Sequence, residues 1–211
     1  MKKMPTLFKR EYTGKNEFTL LHEVTEGCEW VLAGEGIATR KYDGTCCLIK
    51  NGEIYRRYDA KAGKVPPEGA IPCQEAPDKI TGHWPHWVKC SESNPSDKWH
   101  ITALRATSML EDGTYELCGI HFQNNPDKVV EDRDILIKHG KDILNIKDRS
   151  FEGLKEYLEN HYIEGVVFHR GNGEMCKIKR SDFGIPWNNS KRLGKSDRAY
   201  PKRRYYRVVK N

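Results

Sequence analysis

Residues 41–58 read Lys41-Tyr42-Asp43-Gly44-Thr45-Cys46-Cys47-Leu48-Ile49-Lys50-Asn51-Gly52-Glu53-Ile54-Tyr55-Arg56-Arg57-Tyr58. Two strand-like runs flank Asn51-Gly52, the pair that most readily supplies the two positive φ angles of a type I′ turn. The stretch predicts an antiparallel hairpin. Lys50 and Glu53 would face each other beside the turn as an opposite-charge pair. Arg57 would lie opposite Cys46 and return close to Lys41.

Outward from this hairpin the signals are mixed. The first 40 residues have weak periodicity. Residues 62–99 combine Gly63, Pro66, Pro67, Gly69, Pro72, Pro77, Pro85 and Pro95 with Trp84, Trp87 and Trp99, which predicts a long but ordered loop. Residues 101–110 and 114–122 predict a second hairpin turning at Glu111-Asp112-Gly113. Residues 127–161 are the most helical part. Ser150 is placed as an N-cap, followed by Phe151, Leu154, Tyr157 and Leu158 at helical spacing. Residues 163–169 and 175–179 predict strands around a turn at Gly171-Asn172-Gly173. Strands, then helix, then strands point to an α+β fold with largely antiparallel sheets rather than a βαβ repeat.

The length of 211 residues suits one domain with an appendage. No run of 18 apolar residues occurs, which argues against a transmembrane helix. Met1-Lys2-Lys3-Met4-Pro5-Thr6 has no apolar stretch behind its lysines and does not read as a secretory signal. Mean hydropathy is low, at −0.79, but 5 Trp, 10 Tyr and 6 Phe argue against general disorder. Of 36 basic residues, nine fall in 191–211, against one of the 30 acidic residues. The chain is therefore a near-neutral body, 1–190, with a basic tail, 191–211, suited to phosphate or an acidic surface. A solubilising terminus would have the same composition. Seven cysteines, with no C-x-x-C spacing, argue against a zinc site of the usual kind and against a disulfide framework. They read as small buried residues of a reducing compartment, hence an intracellular, cytoplasmic protein.

Four features carry chemistry. Lys41-Tyr42-Asp43-Gly44 precedes the hairpin. Tyr115-Glu116-Leu117-Cys118-Gly119 carries one acid among apolar residues. Ile163-Glu164-Gly165-Val166-Val167-Phe168 opens an apolar strand on another. In Met175-Cys176-Lys177-Ile178-Lys179, alternation puts Lys177 and Lys179 on one face. Two ammonium groups on one face suit an anion, although a half-buried strand with a solvated face has the same pattern.

Taken in this order the four features resemble the motif set of the covalent nucleotidyltransferases, the polynucleotide ligases and mRNA capping enzymes. Thr81-Gly82-His83-Trp84-Pro85, Lys138-His139-Gly140 and Lys177-Ile178-Lys179-Arg180-Ser181-Asp182-Phe183-Gly184 bring the resemblance closer to the small single-domain ATP-dependent RNA ligases, vertebrate members included. It runs from about Thr39 to Trp187. It implies an adenylyltransferase (ATP-grasp-like nucleotidyltransferase) domain of mostly antiparallel sheets flanked by helices, without a separate OB domain. About 30 residues after Lys179 are too few for a five-stranded barrel.

By the same resemblance Lys41 is the adenylated nucleophile. Lys177 and Lys179 contact the α-phosphate, Glu164 acts on the divalent metal, and Glu116 sits near the ribose or the metal. Arg57 binds the donor phosphate or the nucleotide. Arg40, Asp43, Gly44, Lys61 and Phe122 complete the nucleotide-binding set, with Phe122 open between adenine stacking and core packing. Trp84, Trp87 and His139 are open between structural and site roles. The implied cofactors are ATP as AMP donor and Mg²⁺ or Mn²⁺; the implied partner is RNA with 5′-phosphate and 3′-hydroxyl ends. The tail, through Lys191, Arg192, Lys202, Arg203 and Arg204, would hold RNA, and the protein is expected to act as a monomer away from membranes. Attack by a lysine needs the neutral amine, so its pKa must fall from about 10.4. Arg40, Lys177 and Lys179 are the cations placed to lower it. A DNA ligase, a capping guanylyltransferase and a non-catalytic RNA-binding relative remain as alternatives.

Overall fold

Asn51 and Gly52 take φ of 53° and 74° and reverse the chain between two strands, as the sequence predicts. The computed structural model describes residues 1–14, 17–79 and 81–187. Within them the strands are β1 (Phe8–Gly14), β2 (Glu17–Val24), β3 (Ile37–Lys41), β4 (Thr45–Lys50), β5 (Glu53–Ala60), β6 (Ile71–Pro72) and β7 (Trp84–Lys89). Helix α1 (Lys98–Ala106) follows, then β8 (Gly113–Gly119), β9 (Asp134–Lys138), helix α2 (Phe151–Asn160), β10 (Gly165–His169) and β11 (Met175–Lys179). The basic tail lies outside the described residues.

The strands form two main sheets, both antiparallel. One has the order β11-β10-β3, the other β6-β7-β5-β4-β8-β9, and β1 pairs with β2 as a separate hairpin. The expectation of an α+β fold with antiparallel sheets is met. Each sheet has its own core. Phe8, Val31, Leu154, Leu158, Val166, Phe168 and Ile178 are buried around the small sheet, with α2 and the β1–β2 hairpin packed on it. Cys47, Ile49, Tyr115, Leu117 and Ala103 are buried between the large sheet and α1. Helix α2 starts where the sequence predicts. Ser150 Oγ accepts a hydrogen bond from Gly153 N–H at 3.1 Å, and Leu154 and Leu158, one turn apart, are both fully buried. The short segment 42–44 crosses from the end of β3 in one sheet to the start of β4 in the other.

Three local expectations fail. Residues 101–110 do not form the first arm of a hairpin: 98–106 are helical, and β8 pairs instead with β4 and β9. The start signal is Asn94-Pro95. Asn94 Oδ1 accepts from Ser96 N–H at 3.1 Å, and His100 and Ala103 then share one buried face. Residues 134–138 are a strand and not helix, with Asp134 and Leu136 buried and Ile135 between them less so. Residues 84–89, expected to be loop, are the strand β7. Pro85 disguises it, because a proline withholds a ladder donor and usually marks an edge; here Pro85 sits opposite Asp59 near one end of the strand. The Lys50–Glu53 register is as expected, but the carboxylate pairs with Lys89 at 2.5 Å.

Candidate active site

The crossover at 42–44 opens a cleft of about 520 Å³ between the two sheets. Thr39, Arg40, Lys41, Val167, His169 and Lys177 line it from the small sheet; Thr45, Cys46, Arg57, Asp59 and Glu116 line it from the large one. Residues 1–4 lie along its wall. They are brought there by the chain that follows: Pro5 O accepts from Lys177 N–H at 3.0 Å, and Leu7 N–H donates to Lys177 O at 2.7 Å.

Pairing of strands distant in sequence builds the centre. Gly165 on the middle strand β10 is opposite Lys41 on β3 and Lys179 on β11. Two residues along, Val167 is opposite Thr39 and Lys177. Because side chains alternate, Lys41, Lys177 and Lys179 share one face. Glu164, which precedes β10, lies between the two lysines of the first row. Its Oε2 accepts from Lys41 Nζ at 2.5 Å and its Oε1 from Lys179 Nζ at 3.2 Å. Glu164 is only 6% exposed. A buried carboxylate requires such compensation, since an isolated one would cost several kcal/mol. Gly165 is needed for this row: a Cβ there would meet Ile178 O at 2.3 Å and Lys179 Cα at 2.9 Å.

The second carboxylate is held by the crossover itself. Glu116 Oε1 accepts from Gly44 N–H at 3.1 Å, and Oε2 lies 3.0 Å from His139 Nε2. His139 is steadied by Thr114 Oγ1, 3.0 Å from its Nδ1. Gly44 has no room for a side chain. A Cβ would lie 2.2 Å from Leu117 O and 2.8 Å from Cys118 Sγ, so the glycine serves the close approach to β8. Asp43 Oδ2 accepts from Trp187 Nε1 at 2.7 Å, and Asp43 N–H donates to Asp127 at 2.7 Å. Asp127 also takes Arg40 at 3.0 Å.

These contacts set the charge states. Burial pushes Lys41 down, but Glu164, Glu116 and Asp43 together outweigh it, and the net shift is upward. Lys41 is thus held as an ammonium. This departs from the sequence expectation of a lowered nucleophile. Lys177 moves the other way: burial, then Lys179 and Lys41, bring it down to about 8. Burial and the nearby Glu164 push Asp43 up. Burial pushes the Cys46 thiol up to about 12.

Of the expected site residues, Arg40, Lys41, Gly44, Arg57, Glu116 and Lys177 line one cleft; Glu164 and Lys179 are not part of the lining but are tied to Lys41 through the Glu164 carboxylate, and Asp43 lies in the crossover, held by Trp187. Arg57 donates to Asp59 at 2.9 Å and to the backbone oxygen of Met1 at 2.7 Å. Lys61 is exposed beyond the end of β5 and is not part of the lining. Phe122 packs on the core of the large sheet, edge-on to His100 at 5.3 Å, and is not part of the lining either. Trp87 is buried; Trp84 donates to Gln74 O at 2.8 Å. Lys191, Arg192, Lys202, Arg203 and Arg204 lie outside the described residues. Sequence reasoning left His139 open and missed Asp127. The signal for His139 was Lys138-His139-Gly140 directly after an apolar strand. Asp127 lies in a turn, where no periodicity marks a face.

Mg²⁺ or Mn²⁺ favours carboxylate oxygens. Glu164 and Glu116 offer such oxygens, sheltered in the site, once Lys41, Lys179 and His139 give up their contacts with them. Cys46, Glu116 and His139 offer ligand atoms within 4.8 Å of one another, but a protonated thiol suits a hard ion poorly.

No family model matches the chain. Curated relatives do. The chain is 24% identical over 275 aligned positions to RNA ligase 1 of Pongo abelii, with 88% of this chain and 82% of that protein covered. It is 25% identical over 223 positions to RNA ligase 1 of Rattus norvegicus, covering 72% of this chain and 68% of that one, and likewise to RNA ligase 1 of Mus musculus. The chain is thus similar, at a distance, to the vertebrate proteins of that name over most of its length.

Proposed function

We propose that this distant likeness to RNA ligases reflects a shared reaction, and that the chain is an ATP-dependent RNA ligase with Lys41 as nucleophile. The observation that carries the reading is the row Lys41–Glu164–Lys179, with Lys177 on the same face and with Lys41 and Lys177 lining a cleft. Phosphoryl transfer asks a protein chiefly for positioning and charge neutralisation. A nucleophilic lysine with two further lysines beside it answers both needs.

The reaction has three steps. Lys41 Nζ, as the free amine, attacks the α-phosphorus of ATP; a P–N bond forms and the bond to pyrophosphate breaks. A 5′-phosphate of RNA then attacks the same phosphorus and takes AMP, freeing the lysine. Finally a 3′-hydroxyl attacks the 5′-phosphate, and AMP leaves. Lys177 and Lys179 face the charge of the α-phosphate. Arg57 is placed for a second phosphate once it gives up Met1 O. Before the first step the pair with Glu164 must open and Lys41 must lose a proton. Glu164 and Glu116 would hold Mg²⁺ or Mn²⁺, which would supply charge neutralisation at the phosphates. The basic tail, with Lys191, Arg192, Lys202, Arg203 and Arg204, is assigned to the RNA backbone.

Incubation with ATP labelled at the α-phosphate and a divalent ion should leave a covalent label on the protein. Lys41→Ala should abolish it, and a label that survives the change sinks the assignment. Labelling by GTP instead of ATP would point to a guanylyltransferase. Sealing of nicked DNA but not of RNA would point to a DNA ligase. RNA binding without any label would point to a non-catalytic relative.

A further inference from the structure

Away from the cleft, behind the large sheet, three side chains converge in the core. Cys90 follows β7, Asp97 precedes α1, and His100 lies in its first turn. Each offers one metal-ligating atom, all within 4.8 Å of one another, and all three residues are buried. Cys90 is 9% exposed, Asp97 1% and His100 8%. None of them takes part in the proposed ligation chemistry.

The telling member is His100. Both its ring nitrogens are buried, and neither has a hydrogen-bond partner. A buried imidazole normally places at least one nitrogen in a bond, because leaving a buried polar group unpaired costs about 1–3 kcal/mol. Here two go unpaired on one ring. Asp97 accepts from Arg56 Nε at 2.9 Å, Ser91 N–H at 3.1 Å and Asn94 Nδ2 at 3.0 Å. An ionised carboxylate has about four lone-pair sites, so one remains. The position is therefore charged, oriented and incomplete.

We propose that Cys90, Asp97 and His100 bind a zinc ion as a structural site tying α1 to the large sheet. Thiolate, imidazole and carboxylate together suit zinc better than magnesium or calcium. A tetrahedral ion with bonds of about 2.0–2.3 Å keeps its ligands roughly 3.5 Å apart, so the three side chains need only move inward. The fourth position is left for water or another donor. Binding converts the Cys90 thiol to thiolate and releases its proton to solvent; His100 binds as the neutral ring. The Cys90-x6-Asp97-x2-His100 spacing falls outside the C-x-x-C patterns, so the sequence did not point to it.

The test uses the full chain and the metal alone. Purified protein should hold about one zinc per chain, as a preformed structural site does. After removal of that zinc, Co²⁺ should give the near-ultraviolet thiolate-to-cobalt charge-transfer band, and added zinc should restore the melting temperature. Cys90→Ser and His100→Gln should each lose the band and the zinc-dependent rise, while Cys46→Ala, in the cleft, keeps both. If Cys90→Ser does not fold, His100→Gln and the wild-type cobalt spectrum decide. Folded wild-type protein that shows neither a cobalt band nor a zinc-dependent shift overturns the proposal. So does a signal that vanishes with Cys46→Ala instead. None of these readouts depends on ligase activity, so failure here and failure of the ligase reading are separable.

Discussion

Replacing Glu164 with Gln tests the centre of the site. The carboxylate holds Lys41 at 2.5 Å and Lys179 at 3.2 Å, and its side chain is 8% exposed. The amide keeps the shape and removes the charge. Two ammonium groups are left side by side, with Lys177 behind them. Breaking a buried pair costs about 3–5 kcal/mol. Lys41 and Lys179 keep 21% and 29% side-chain exposure, so some of that is recovered by water and by proton loss, and the lower end is expected. For a domain of this size each kcal/mol moves Tm by about 2–4 °C, which predicts a drop of roughly 6–12 °C. The sign with pH follows from the raised Lys41. Its stabilisation is fully present below 10.5 and is lost as pH rises through the higher folded value. The gap between wild type and variant should therefore be widest near neutrality and narrow above pH 10.5. The same change should make Lys41 more reactive, since burial is then opposed only by Glu116 and Asp43. Competitive amine labelling read by mass spectrometry should show its midpoint, above 10.5 in the wild type, moving downward in the variant. Transfer of AMP should nonetheless fall, by on the order of 10²-fold if Glu164 stabilises the transition state as such preorganised groups do. An unchanged Tm together with an unchanged Lys41 midpoint would refute the claim that Glu164 sets the charge on Lys41.

Further outcomes are expected. Lys177 should label with a midpoint near 8, and Lys179→Ala should raise it by removing a like charge. Because its folded value is depressed, Lys177 should make stability rise with pH between about 8 and 10.5 in chemical denaturation, the reverse of Lys41. Gly44→Ala should cost about 1–3 kcal/mol by pressing a methyl group onto Leu117 O, measured as a lower denaturant midpoint. His139→Gln should lower AMP transfer more than it lowers Tm, since the hydrogen bonds of the ring go to Glu116 and Thr114 at the cleft. Removal of residues 191–211 should weaken end-joining, most at low salt and with a shallower salt dependence than the full chain, and spare self-adenylation; equal loss of both would show that the tail belongs to the fold.

Several of these residues were legible from sequence because strand alternation is a local rule. Lys177 and Lys179 had to share a face once 175–179 was a strand. Thr45 to Lys50 and its Asn-Gly turn fixed where Arg57 would return, and Arg57 is in the cleft. Ser150 announced α2. The failures have a common cause. At 84–89 and 101–106, local composition pointed one way and tertiary packing the other: β7 keeps its place beside β5 despite a proline, and α1 forms on a short apolar run because its His100–Ala103 face has a sheet to cover. At 134–138 the packing partner, β8, lies outside any local window. Propensity is a weak prior against such partners.

Sequence alone determined which groups exist and which strand faces they occupy, because side-chain alternation and turn chemistry are properties of neighbouring residues. It thereby named the lysines and carboxylates that the fold brings together. Only the tertiary structure decided their charge. Lys41 and Glu164 are 123 positions apart, and they meet because β10 pairs with both β3 and β11. That pairing is fixed by the burial of Val166, Phe168, Cys176 and Ile178 on the opposite face. The result turns a lysine expected to be neutral into an ammonium locked to a buried carboxylate, and makes its neighbour Lys177 the more acidic of the two.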